Sequence, residues 1–295
     1  MNRPVYKLRN WIDKSKLDWG YISTNKYAWS LIKDNIDKIN LNLLSLNTSI
    51  DVIEYLEKNP EMIRWDNIVF NKNAISIIKK NLDKINWLNL AINLNGAEIL
   101  KDYPNKICWR LLSGNSEAIE ILINNEDKIY YDIFNENKNA IPYLKKNPDK
   151  IIWQNLNFNE NGVEILKNYP DKINWSAVSE CSNDIKFLRE NIENIDWDCL
   201  TLNEKAMDIL NENLDKISWD YIYLNPNAIE IFKYRIDRIN WYYFSLNHLI
   251  FELDYKKMSE NFEPLAEDII KEVMKPSRIF RNLELYAYDI DDMFD

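Results

Sequence analysis

A period of 22 residues runs through most of the chain and restricts it to a repeat architecture. Similar segments recur in register eleven times, and only the second departs from the period, with 24 residues. A fixed short period is the signature of an array in which each repeat buries the apolar face of the next. The repeats begin at Trp19, Leu41, Trp65, Trp87, Trp109, Tyr131, Trp153, Trp175, Trp197, Trp219 and Trp241.

Each repeat carries the signals of two short helices, the first of about two turns. An Ile, at position 21 of the 22-residue repeat, precedes each new repeat by two residues, and the residue between, at position 22, is often Asn, Asp or Ser, as in a helix cap with a hydrophobic staple. Ile217 and Ile222 form one such staple. Asn at position 7 caps a second helix, whose apolar positions 10, 11, 13 and 14 lie on one face, as for Ile229 and Phe232. The pattern predicts an all-α solenoid of helix-turn-helix repeats.

The aromatic residues and the preceding isoleucines are the predicted core. They are Trp65, Trp87, Trp109, Trp153, Trp175, Trp197, Trp219, Trp241, Ile85, Ile107, Ile129, Ile151, Ile173, Ile195, Ile217 and Ile239. We expect three regions: an N-terminal cap over 1–18, the repeat solenoid over 19–262, and a C-terminal capping helix with an acidic tail over 263–295. A leucine-rich-repeat-like solenoid is the alternative, since such repeats also run 20–29 residues and use an Asn ladder.

The repeated words "LNPNAIEIF", "NKNAIPYLKKNPDKIIW" and "NLDKISW" resemble a family of short-repeat proteins encoded by giant DNA viruses of amoebae, the mimivirus-like paralogues. The resemblance covers residues 19–262. It implies a helical repeat fold and a viral origin, with the protein acting in the host cytoplasm, the viral factory or the virion. It implies no catalytic activity.

Composition narrows the function classes. The formal net charge is −10, which disfavours broad electrostatic binding to nucleic acid. No apolar run is long enough to span a bilayer, so we expect a soluble intracellular protein. Three cysteines and one histidine, His248, make a zinc cluster or a disulfide framework improbable. Four scattered glycines exclude a Gly-rich phosphate loop. We therefore expect no cofactor and no bound metal.

These observations favour a non-enzymatic protein-interaction scaffold. Catalysis needs a few unlike residues in one place, whereas a repeat array presents the same residue many times. The variable repeat positions 2, 3, 5, 6, 8 and 9 are the expected recognition surface for a viral or host protein. Tyrosine is enriched at interaction hot spots, and an acidic, aromatic C-terminus could anchor a partner. The candidate binding residues are Tyr221, Tyr223, Tyr234, Tyr242, Tyr243, Tyr286, Tyr288 and Phe294.

Three alternatives remain at this stage. The Lys at position 20 and the aromatic residue at position 1 form ladders that could bind RNA. The segment "PLAEDIIKEVMKPSRIF" has a faint likeness to an F-box start, which would suggest a ubiquitin-ligase adaptor.

Residues 1–18 have five basic and two acidic side chains, and residues 263–295 have nine acidic and four basic ones. These opposite charges could favour self-association.

Overall fold

The computed structural model describes residues 3–233, 235–275 and 278, which are mainly helical. The α-helices are α1 Trp19–Thr24, α2 Trp29–Ile32, α3 Leu41–Leu44, α4 Ile50–Lys58, α5 Trp65–Ile68, α6 Ile75–Lys79, α7 Trp87–Leu90, α8 Ala97–Leu100, α9 Trp109–Leu112, α10 Ile119–Ile123, α11 Tyr131–Phe134, α12 Ile141–Lys146, α13 Trp153–Leu156, α14 Val163–Leu166, α15 Trp175–Cys181, α16 Ile185–Glu190, α17 Trp197–Leu202, α18 Met207–Glu212, α19 Ile229–Lys233, α20 Trp241–Phe244 and α21 Tyr255–Val273.

Short 3₁₀ helices connect many of these helices. They are Lys14–Lys16, Ile36–Lys38, Pro60–Met62, Pro104–Lys106, Ser116–Ala118, Glu126–Lys128, Pro148–Lys150, Pro170–Lys172, Ile192–Asn194, Ile222–Leu224, Pro226–Ala228, Ile236–Arg238 and His248–Ile250. The strands β1 Tyr6–Leu8 and β2 Phe251–Leu253 pair with each other. The all-α prediction is confirmed. The leucine-rich-repeat alternative is wrong, because it requires a strand in every repeat and the described residues between Trp19 and Asn240 contain none.

Repeat 7 shows how one unit is built. Its first helix α13 begins at the predicted aromatic residue, Trp153, but is one turn long instead of the expected two. The second helix α14 follows. Pro170 cannot continue a helix and instead begins a 3₁₀ turn. The chain then extends through Ile173 to the Asn174 cap of the next first helix. Repeat 7 thus consists of a first helix, a second helix and a 3₁₀ turn with a short extended segment.

A ladder of buried asparagines at repeat position 7 joins the repeats. The Asn137 side-chain amide donates to the carbonyl oxygens of Ser113 at 3.1 Å and Asn115 at 3.0 Å, both in the preceding repeat. Its Oδ1 accepts the N–H of Asn139 at 3.0 Å, which caps the next segment. Each asparagine therefore satisfies backbone groups in two repeats. The buried members are Asn25, Asn47, Asn71, Asn93, Asn115, Asn137, Asn159, Asn203, Asn225 and Asn247.

Cys181 replaces the asparagine in repeat 8, and the ladder adjusts locally. The Asn203 amide donates to the carbonyls of Ser179 and Ser182, each at 3.0 Å, so the next rung still has two acceptors. Ser182 supplies the missing cap, since its Oγ accepts the N–H of Asp184 at 3.0 Å. The exception therefore breaks no connection between repeats 8 and 9.

A second ladder uses small polar side chains at repeat position 5. The Oγ of Ser23 accepts the N–H of Asn40 at 2.9 Å, and Ser113 does the same for Tyr130 at 3.0 Å. Asn135 plays this part with its Oδ1, which accepts the N–H of Ile152 at 2.9 Å. Position 5 was expected on the recognition surface. It lies inside because its side chains satisfy backbone groups that would otherwise be buried and unpaired.

Both ladders continue from the last repeat to the first. Asn25 donates to the carbonyl of Asn247 at 3.2 Å, the same bond that joins neighbouring repeats elsewhere. The N–H of Asp18 donates to Ser245 Oγ at 2.8 Å, as Asn40 does to Ser23. An open array needs capping segments at its ends, whereas here the end repeats cover each other. The array of repeats is therefore closed.

The eleventh repeat is a composite of the two ends of the array. Residues 241–250 supply its first helix, and residues 9–18, termed the closing segment, supply the part corresponding to positions 13–22. Lys16 lies 5.3 Å from the Trp241 ring centroid, in the relation that Lys38 has to Trp19 at 5.2 Å. Leu17 is buried at the place of the position-21 Ile. Trp11 packs on Phe244 with ring centroids 6.2 Å apart.

Polar contacts also hold the closing segment. The backbone N–H of Arg9 donates to the Ile250 carbonyl at 3.0 Å. The Arg9 side-chain Nε donates to the Leu249 carbonyl at 2.8 Å. Its guanidinium pairs with Glu230 at 3.2 Å. Part of the basic charge at the N-terminal end is thus paired within the same chain.

Two compact units can be distinguished. The larger, Leu8–Phe251, contains the closed array, and the smaller comprises Met1–Lys7 and Glu252–Asp295. In the smaller unit, Asp254 caps α21 by accepting the N–H of Lys257 at 3.1 Å, and its own N–H donates to the Val5 carbonyl at 2.8 Å.

Candidate protein-interaction surface

The first helices of the repeats share one pattern of burial. In nearly all of them positions 4 and 5 lie in the core, as Leu112 and Ser113 do, and the residue at position 1 is half-buried. Positions 2 and 6 are mostly exposed, and position 3 is mostly half-buried. We call the residues at these three positions, across all eleven repeats, the first-helix face.

Large apolar side chains are exposed along the first-helix face. Leu88 is 55% exposed and Tyr242 is 52% exposed, well above what a core role would leave. The other exposed large apolar residues of the face are Phe70, Ile92, Phe158, Tyr221, Leu224, Tyr243 and Leu246. Contiguous exposed apolar surface commonly marks an interaction site.

Four tyrosines meet where the first and last repeats join. The Tyr223 and Tyr243 rings stack at 5.0 Å, and Tyr242 meets Tyr243 edge-on at the same centroid distance. Tyr21 of repeat 1 packs edge-on against Tyr242 at 4.8 Å. A hydrogen bond with Tyr242 raises the pKa of Tyr21 to about 12. The Tyr21 phenol therefore stays neutral at physiological pH, and the four rings form an aromatic cluster.

The predicted binding residues fall into two groups. Tyr221, Tyr242 and Tyr243 lie on the first-helix face and are exposed, while Tyr223 at position 5 is half-buried beneath them. Tyr234, Tyr286, Tyr288 and Phe294 lie outside the described residues. Phe70, Leu88, Ile92 and Phe158 extend the surface away from the tyrosines, and their irregular occurrence at positions 2 and 6 was the signal in the sequence.

The predicted core residues differ in burial. The position-21 isoleucines are buried or nearly so, and Ile217 is 5% exposed. The tryptophans are half-buried, and a basic side chain lies over the ring in most repeats, while Trp153 packs on Tyr169 and Trp175 on Phe187. Lys84 lies 4.8 Å from the Trp65 centroid and Lys216 lies 4.4 Å from that of Trp197. Such cation–π contacts pair the Lys ladder with the aromatic ladder.

The Lys ladder is also neutralised by neighbouring carboxylates. Lys150 pairs with Asp149 at 3.4 Å and Lys172 pairs with Asp171 at 2.9 Å. Both members are well exposed, so each pair contributes little stability. The RNA-binding alternative needs free Lys side chains and free aromatic ring faces. The Lys–Asp pairs and the Lys–Trp contacts occupy many of both.

The three cysteines are free, and two lie beside the acidic part of the first-helix face. Burial raises the pKa of Cys181 to about 11, and nearby Glu180, Glu160 and Glu136 act in the same direction. Burial likewise raises the pKa of Cys199 to about 11. Neither thiol is an activated nucleophile, since the reactive species is the thiolate.

His248 lies against the first repeat. Its ring is 5.7 Å from that of Tyr27, edge-on, and burial together with nearby Lys26 lowers its pKa. The described residues contain no grouping of His, Cys, Asp and Glu able to hold a metal ion. Within the same residues, no helix is both long and apolar enough to cross a membrane.

Comparison with known protein families, with characterised proteins and with solved structures finds no match for the chain.

Proposed function

We propose that the protein is a non-enzymatic interaction scaffold that binds a partner protein through the first-helix face. The observation that carries the proposal is that nine of the exposed large apolar and aromatic side chains of the described residues belong to the first-helix face. Because the first and last repeats cover each other, these side chains are not needed to cover an open end of the array.

The division of labour within each repeat supports this proposal. Positions 4, 5, 7 and 21 build the frame through burial and the two ladders. Positions 2, 3 and 6 are free to vary, as in repeat proteins that separate folding from specificity. Asp220 and Tyr221 occupy the positions that Ser176 and Ala177 hold two repeats earlier. A face built this way can be shaped to one partner without loss of the fold.

The resemblance of the repeat words to those of amoebal giant viruses suggests where the partner acts. We place the protein in the host cytoplasm or the viral factory, with a viral or host protein as partner. Self-association and a role for the C-terminal segment in recruiting host machinery stay predictions.

A capture experiment with matched variants tests the proposal. The tagged protein is incubated with nuclease-treated lysate of infected and uninfected amoebae, and bound proteins are identified by mass spectrometry. We expect a stoichiometric partner that is lost on changing Tyr221, Tyr242 and Tyr243 to Ala. Alanine at Tyr103, Tyr169 and Tyr255, which are exposed elsewhere, is the control and should leave binding intact. Equal loss in both triple variants would contradict the proposal.

A further inference from the structure

The first-helix face is nearly devoid of basic residues. The chain has 37 Lys and Arg residues, but positions 2, 3 and 6 of all eleven repeats hold only Arg110. Its guanidinium is paired with the Asp132 carboxylate of the next repeat at 3.1 Å. The face carries six carboxylates: Asp66, Asp132, Glu136, Glu180, Asp198 and Asp220. It is thus strongly acidic for its size.

Most of these carboxylates lack a cationic partner. Among the described residues, no Lys or Arg lies within ion-pair distance of Asp66, Glu180, Asp198 or Asp220. Elsewhere the chain pairs its carboxylates between repeats, as Glu98 does with Lys79 at 2.5 Å on the second helices. With six carboxylates against one basic residue, the first-helix face keeps a formal net charge of −5.

Apolar side chains alternate with the carboxylates. Phe70 lies one turn from Asp66 on the first helix of repeat 3, and Leu88 and Ile92 follow in repeat 4. Phe158 is flanked in sequence by repeats that carry Glu136 and Glu180. The face therefore combines apolar contact area with unpaired negative charge.

We propose that the occupant of the first-helix face is a positively charged, amphipathic segment of the partner protein. This inference rests on the proposed function and names the chemistry of its partner. Lys and Arg side chains of the segment neutralise the carboxylates, and its apolar side chains cover Leu88, Phe158 and the tyrosines. Nucleic acids and anionic lipid headgroups are repelled by the same charge.

A defined peptide tests this complementarity directly. The probe is a fluorescein-labelled peptide of about 16 residues in which Lys and Leu alternate at helical spacing, measured by fluorescence anisotropy. A control peptide with Glu in place of every Lys tests whether apolar contact alone suffices for binding. A second control with Ser in place of every Leu tests whether positive charge alone suffices. We expect only the Lys–Leu peptide to bind well, with affinity that falls as salt is raised.

Charge-reversal variants locate the site. Asp66→Lys with Asp198→Lys changes the face, while Asp83→Lys with Asp215→Lys makes the same change in net charge at exposed position-19 residues of the same two repeats. We expect the face variant to lose at least about tenfold in affinity and the control less than about twofold. Equal losses would overturn the inference, because they would show a response to net charge instead of to this face.

The inference and the proposed function can fail separately. If the Lys–Leu peptide does not bind but a protein is captured through Tyr221, Tyr242 and Tyr243, the inference is overturned and the proposed function stands. If neither peptide nor protein binds, both are overturned.

Discussion

Replacing Asn137 by Ala is the sharpest test of the frame. Its side chain is 3% exposed and makes three hydrogen bonds, two as donor to the preceding repeat and one as acceptor within its own. Alanine removes all three and leaves the Ser113 carbonyl and the Asn139 N–H without these partners. The change creates no new charge. The loss therefore reports on the ladder itself.

The expected magnitude follows from these bonds. A net contribution of about 1 kcal/mol for each hydrogen bond gives about 3 kcal/mol, before any cost of leaving buried groups unpaired. Asn139 is the matched control, since its exposed side chain donates a single bond to the Ser116 carbonyl at 3.0 Å. Asn139→Ala should cost less than about 1 kcal/mol.

Urea unfolding followed by far-UV circular dichroism measures both variants. We expect the midpoint of Asn137→Ala to fall clearly below that of Asn139→Ala, with the slope of the transition unchanged. A loss at Asn137 no larger than that at Asn139 would refute the reasoning, because it would show that the buried ladder does not hold the repeats together.

Three further predictions concern the junction of the first and last repeats. Trp11→Ala should lower the free energy of unfolding by about 3 kcal/mol through lost packing on Phe244; an unchanged urea midpoint would show that the closing segment does not dock. Since the pKa of His248 is lowered on folding, its neutral form stabilises the fold above the unfolded pKa of about 6.5, and this contribution is lost as pH falls. His248→Gln should therefore reduce the difference in urea midpoint between neutral and mildly acidic pH, and an undiminished difference would count against it. Carbon-13 NMR of labelled tyrosine should show one phenol with a pKa of about 12 that disappears in Tyr21→Phe.

The repeat period was enough to predict the all-α class, because burial at fixed positions must recur in every unit. The position of each first helix also followed from the sequence: ten of the eleven begin at the predicted residue, and repeat 10 forms only the 3₁₀ turn Ile222–Leu224 instead. The single-turn length of most first helices was not predicted. Local signals mark where a helix begins, whereas its length depends on packing between repeats.

Closure could not be predicted from the consensus, since it depends on the small rotation between repeats summed over the whole array. One signal was nevertheless present. "DKSKLDW" at Asp13–Trp19 has the form of "DKISW" at Asp215–Trp219, with Lys16, Leu17 and Asp18 in the places of a position-20 Lys, a position-21 Ile and a position-22 cap. Residues 13–19 thus have the sequence of the end of a repeat, although no complete repeat precedes them. The last repeat, which starts at Trp241, lacks this end, and the two parts complement each other.

The recognition surface was predicted in part. Positions 2 and 6 are mostly exposed as expected, whereas position 3 is mostly half-buried. Position 5 is buried in nearly every repeat, although its frequent Ser, Thr and Asn suggested variable polar surface. The side chains of Ser45 and Thr201 are fully buried, and they accept the backbone N–H groups of Arg64 and Ser218 at the end of their own repeats. Sequence variation alone does not separate a solvent-facing residue from a small hydrogen-bonding one.

Site-specific photo-crosslinking tests the central claim most directly. A benzophenone amino acid is placed at Phe70 or Phe158 on the first-helix face, and at Tyr103 or Tyr169 as exposed aromatic controls outside it. After irradiation in nuclease-treated amoebal lysate, we predict discrete protein adducts from Phe70 and Phe158 and none from the controls. Adducts that form only at Tyr103 and Tyr169, or none at any of the four positions, would contradict a first-helix face that binds a partner protein.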